Sequence, residues 1–108
     1  MTFARRVAVI LAVWLALAAA GPTAAYHGSG TVVALLPPPS DLHATRPVIV
    51  IEHDPIRGLM VEKMTMPFIA ASTALFEGLH PGDRISFGLE DTPGALLVVT
   101  IERLVPRR

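Results

Sequence analysis

His53, Met60, Met64 and Met66 are the residues whose types and spacing could do chemistry in this chain. Past residue 25 the three methionines are the only ones, and all lie within thirteen positions of His53. Methionine usually fills gaps in cores, but a core filler has no reason to avoid every other segment. On a strand, Met64 and Met66 project from one face with Cβ atoms roughly 7 Å apart, a separation that flexible thioether arms can close around one ion. Thioethers are soft and neutral and select Cu(I) or Ag(I) over Zn²⁺, Mg²⁺ or Ca²⁺, which prefer imidazole, thiolate or oxygen. An imidazole at His53 joins them if the strands carrying His53 and the methionines are neighbours. The spacing alone leaves two readings open, a soft-metal site and a barrel end packed with methionine.

The elements that must position these residues are short. Past residue 25 the chain shows period-2 and brief apolar runs broken by Gly and Pro, with no helical stripe of useful length. Strands are expected at Gly28 to Leu36, Pro47 to His53, Lys63 to Ile69, Arg84 to Leu89 and Ala95 to Leu104. Pro67 argues for an edge, or for the end of pairing, in the third. Ala70 to Gly78 is the one helix candidate, one or two turns long, with Ser72 as its cap and Gly78 just past its end. Five strands with one short helix between the third and fourth predict an all-β fold, a small Greek-key barrel of the OB type rather than a sandwich of about seven strands.

Composition bounds the rest. The chain has 108 residues, no cysteine and a formal net charge of zero, which excludes a disulfide scaffold, a zinc-thiolate module and a strongly basic nucleic-acid binder. Residues 1–25 read as a secretory signal peptide: Arg5 and Arg6 precede the uncharged run Val7 to Ala20, and Gly21-Pro22 breaks it before Thr23-Ala24-Ala25. The cut is expected after Ala25, with Ala20 as the alternative. An uncleaved anchor fits poorly, because the run covers roughly 21 Å of a hydrocarbon core about 30 Å thick. Residues 26–108 then form one domain with seven Lys or Arg against nine Asp or Glu, a net charge of −2. It is expected to be soluble, periplasmic and monomeric, without stable membrane insertion or a nucleic-acid partner.

The stretch from His53-Asp54-Pro55-Ile56 to Met64-Thr65-Met66-Pro67-Phe68, with Leu79, Pro81, Gly82 and Asp83 beyond it, resembles the CusF-like periplasmic copper- and silver-binding domains. Their signature is a His-x-x-Ile segment before a Met-Thr-Met-x-Phe strand, and the likeness covers roughly residues 28–104. It implies a five-stranded OB-like barrel that binds Cu(I) or Ag(I) and acts as a metallochaperone or resistance factor, handing copper to an efflux system. His53, Met64 and Met66 match the family's imidazole and thioether ligands. One position departs: where the best-known members place a tryptophan that caps the metal, this chain has Val61, and its only tryptophan, Trp14, lies in the leader. Met60 stands beside that position, either as a third thioether or as an apolar lid.

The remaining polar residues form no competing constellation. His27, His43 and His80 have no second soft donor at metal spacing, though His27 could hold Cu(II) loosely. Glu52 and Asp54 flank His53, where a contact orienting the imidazole is conceivable. Ser72 and Thr73 lack His/Asp partners, and Glu62, Glu77, Glu90 and Asp91 are dispersed, so no enzyme is expected. The rival expectation is an OB-like structural or interaction domain of an envelope complex.

Overall fold

The computed structural model describes residues 24–104; the leader expected over residues 1–25 lies outside them except for its last two residues. Five strands follow in order: β1 (Tyr26–Leu36), β2 (Val48–His53), β3 (Met64–Ala70), β4 (Arg84–Thr92) and β5 (Ala95–Arg103). They close into a barrel in the order β1-β2-β3-β5-β4. Every pairing is antiparallel except that of β3 with β5, which is parallel and limited to Ile69 with Leu97 and Ala70 with Val98. The all-β expectation and its five strands hold. No helix among the described residues is long and apolar enough to cross a membrane.

Boundaries shift at every strand: β1 starts two residues early at Tyr26, β2 and β3 each start one residue late, β4 runs three residues further and β5 ends one residue early. Ala70 completes β3 instead of opening a helix, leaving only a one-turn 3-10 helix, Thr73–Phe76. Ser72 caps it as expected: its side chain accepts from the Ala74 N–H at 3.0 Å. Gly78 follows at φ +76°, a conformation glycine adopts without a Cβ clash. The strand β4 runs on to Thr92, because pairing with β5 continues to the Thr92–Ala95 turn. There the Thr92 hydroxyl donates to the Ala95 carbonyl and accepts from the Ala95 N–H.

Strand β2 is buried on both sides at its start. Ile49 and Ile51 face the core with no exposure, while Val48 is covered on the other side by the loop carrying Leu42 and His43. That loop turns at Ser40, whose N–H donates to the His43 carbonyl at 2.9 Å. The core is built from Val32, Ile49, Ile51, Ile56, Phe68, Ile85, Phe87, Leu89 and Val98. Ile56 is the exception to the strand pattern: it comes from the loop after β2, yet it is only 1% exposed and closes the end of the barrel where β2 stops and β3 starts.

Antiparallel ladders alternate the direction of their backbone groups. The Ala70 N–H reaches the Pro47 carbonyl at 2.9 Å, so the even-numbered residues of β3 bond toward β2 and the odd-numbered ones away from it. Pro67 therefore turns its missing N–H to the side where β5 has already diverged, and costs the sheet no bond. This is the edge that its sequence position called for.

Candidate metal centre

The site forms where β2 ends and β3 begins. His53, the last residue of β2, pairs with Met64, the first of β3, and Ile51 pairs with Met66. Residues directly opposite in an antiparallel pair share a face, so the imidazole and both thioethers stand on the barrel's inner side, in the row that continues to Phe68. His53 is fully buried and Met64 is 47% exposed, with Met66 between them in burial and packed against the core. The row thus runs from solvent to core across the mouth.

The His53 ring is fixed from two directions. Its edge meets Phe68, with ring centroids 5.8 Å apart at 63°. Its Nδ1 lies 2.9 Å from the Asp54 carbonyl oxygen. A carbonyl only accepts, so the proton sits on Nδ1 and the lone pair on Nε2. That Nε2 is the one buried side-chain nitrogen or oxygen among the described residues with no hydrogen-bond partner. Such an atom costs about 1–3 kcal/mol to bury, and a soft metal ion is a partner that would satisfy it. Among the described residues, no three of His, Cys, Asp and Glu come together to hold an ion. The groups at this mouth that could donate to a soft ion are one imidazole and the thioethers of Met64 and Met66.

Met60 is held by its backbone. It exchanges hydrogen bonds with Ile56, at 2.8 Å from the Ile56 N–H and 2.9 Å to the Ile56 carbonyl, and its half-buried side chain packs against the core cluster. The turn this makes sets Met60 opposite Ile56 in the loop between β2 and β3. Val61, at the departing position, is 90% exposed and stands clear of the barrel.

Three residues that the sequence left unremarked also build this end. Ser29 in β1 and Arg84 in β4 both reach the Asp54 carboxylate, at 3.0 and 2.8 Å. Gly30, opposite His53, lets β1 pass close above β2. The one available signal was the Gly28-Ser29-Gly30 run, in which small residues mark a close approach of backbones. The other histidines lie elsewhere. His27 is exposed on β1, the Nδ1 of His43 accepts from the Thr45 and Arg46 N–H groups, and His80 lies 3.9 Å from Asp83 on an exposed turn.

The bonds from Arg84 and then Ser29 hold the Asp54 carboxyl below its ordinary 3.8, against a weaker upward push from burial. A depressed value means that the unfolded chain binds the proton more readily, so this ion pair's contribution is complete above the ordinary carboxylate range and is lost as pH falls through the lower folded value. Arg84→Gln should cost about 0.5 kcal/mol at neutral pH, as half-exposed pairs do. The gap to wild type should narrow in urea titrations below pH 3.8. A gap that stays constant into strong acid would mean that the pair is not formed in solution.

Comparison with known proteins follows this geometry. The family model described as copper binding periplasmic protein CusF matches residues 25–103. The chain belongs to the CusF family. Among solved structures, apo-CusF from Escherichia coli superposes with a TM-score of 0.57 at 24% identity, covering 81% of this chain and 94% of that one. Escherichia coli CusF bound to Ag(I) gives 0.56 at 24% identity, over 80% and 98% of the two chains. A further Ag(I)-bound CusF structure gives 0.54 at 24%, over 77% and 100%. At this identity the likeness speaks for the fold, a closed five-stranded barrel. No curated protein sequence matches the chain.

Proposed function

We propose that this chain binds one Cu(I) or Ag(I) ion through His53 Nε2 and the thioethers of Met60, Met64 and Met66. In this reading it is exported by its first 25 residues and works in the periplasm as a monomeric, non-enzymatic metallochaperone or resistance factor that passes the ion to a partner in copper efflux. The observation that carries the reading is the lone-pair nitrogen of His53, buried without a partner on the face it shares with Met64 and Met66. Family membership and the Ag(I)-bound relatives support it. Neutral donors suit a monovalent ion, and the exposed Met64 is the donor a partner's ligands would meet first, which suits transfer by stepwise ligand exchange.

Met60 is proposed as the fourth donor because its backbone pairing with Ile56 holds it in the loop that joins His53 to Met64, while Val61 stands in solvent. The alternative, a barrel end packed with methionine, draws on the contact of Met60 and Met66 with the core.

Anaerobic titration of residues 26–108 against a competing chelator separates the two. One equivalent of Ag(I) or Cu(I) should bind, and Zn²⁺ at the same concentration should not compete. Met64→Ala and Met66→Ala should each weaken Ag(I) binding at least about tenfold, or 1.4 kcal/mol. Met66→Ala alone should also cost the apo fold about 2 kcal/mol, since Met66 packs on the core and Met64 is half exposed. Tight Zn²⁺ binding, or normal Ag(I) binding by both variants, would leave methionine as packing only.

A further inference from the structure

Asp54 receives more bonds than a residue just past a strand end needs. Its N–H donates to the Ser29 carbonyl at 2.9 Å. Its Oδ2 accepts from the Ser29 hydroxyl at 3.0 Å and from Arg84 Nη2 at 2.8 Å. These partners come from β1 and β4, so the peptide that follows β2 is tied across two other strands. The same residue's carbonyl takes the Nδ1–H of His53.

We propose that Asp54, clamped by Ser29 and Arg84, is the positioning residue of the metal centre: it fixes the His53 tautomer and so keeps the lone pair on Nε2. A neutral imidazole can carry its proton on either nitrogen, and only the form protonated at Nδ1 offers Nε2 to a metal. If the Asp54 peptide rotates, Nδ1 loses its acceptor and both tautomers are populated. The clamp thus acts on the metal through His53, without touching it. A pair that served only to hold the barrel together would leave the tautomer unchanged when cut. The proposal rests on reading His53 as a donor through Nε2.

The test is nitrogen-15 NMR of the imidazole in the purified apo protein, together with Ag(I) affinity by competition, for wild type, Asp54→Ala, Asp54→Asn and Ser29→Ala. Wild type should show a single form with the proton on Nδ1. In Asp54→Ala the signals should shift toward a mixture of tautomers and Ag(I) affinity should fall about tenfold, the lower end for a partner that orients a metal-bound histidine. Asp54→Asn keeps an acceptor for Ser29 and Arg84 and should restore most of both readouts. Ser29→Ala removes one bond and should move both in the same direction by less; it carries the test if Asp54→Ala does not fold. A folded Asp54→Ala with the wild-type tautomer would overturn the proposal, and so would a mixed tautomer with unchanged Ag(I) affinity. If wild type binds no Ag(I), the donor reading fails, while the NMR comparison still decides whether the clamp sets the tautomer.

Discussion

His53→Leu should cripple the proposed metal site and leave the apo barrel at least as stable as before. The imidazole is fully buried and its Nε2 has no partner, so the apo protein carries a polar atom that costs about 1–3 kcal/mol to bury. Leucine is of similar size and removes that atom. It also gives up the bond to the Asp54 carbonyl, which lies nearer solvent and can be hydrated. The net expectation is a gain of about 1 kcal/mol in apo stability, read by urea unfolding. Ag(I) affinity should fall at least 100-fold, or about 2.7 kcal/mol. The two changes have opposite signs, which is how a position kept for binding at the expense of stability behaves. Unchanged Ag(I) affinity would remove His53 from the donor set. A fall of more than 2 kcal/mol in apo stability would show that its nitrogen is satisfied within the fold.

Gly30→Ala should be the most damaging small substitution in the barrel. A Cβ on Gly30 would lie 2.5 Å from the Glu52 carbonyl oxygen and 2.8 Å from both His53 Cα and Ile51 Cγ2. Two of these atoms belong to the backbone of β2 and cannot swing aside. The strands must separate, and Gly30 pairs with Ile85 of β4 on its other flank, so β1 has no free direction in which to move. Overpacking of this kind costs about 3 kcal/mol, a fall of roughly 12–24 °C in Tm for a domain of this size. Thermal unfolding of the apo variant measures it. A fall below about 4 °C, equivalent to 1 kcal/mol or less, would mean that the β1–β2 crossing is loose at this point.

The strands were legible because their punctuation was. Pro37-Pro38-Pro39, Asp54-Pro55 and His80-Pro81-Gly82 cannot continue a ladder, and each closes or precedes an element where the structure has one. The row of Met64, Met66 and Phe68 followed from period 2 alone. Pairing of β2 with β3 was assumed, and the register that sets His53 opposite Met64 could not be read, because both strands are apolar enough to slip. An orienting contact beside His53 was conceivable from Asp54's position, but what holds Asp54 itself was not legible. Ser29 and Arg84 are far from Asp54 in the chain and common in type, so only closure of the barrel brings them to it. Ile56 stood out only as part of the His-x-x-Ile signature, because an apolar residue in a Pro- and Gly-bearing loop gives no period-2 sign that it is buried.

The hairpin of β2 and β3 holds every proposed donor between residues 53 and 66, whereas the barrel around it closes through β1 with β4 and β3 with β5, partners distant in sequence. In terms of contact order, the donors need only a short loop to meet, at a small entropic cost, and closure of the barrel costs much more. The chain can therefore bring its imidazole and thioethers together before β1 and β4 have met. Burial of the imidazole and the ties on Asp54 arrive only with closure. Affinity for a soft ion thus divides into a local share, set by the hairpin, and a global share that reports whether the barrel has folded.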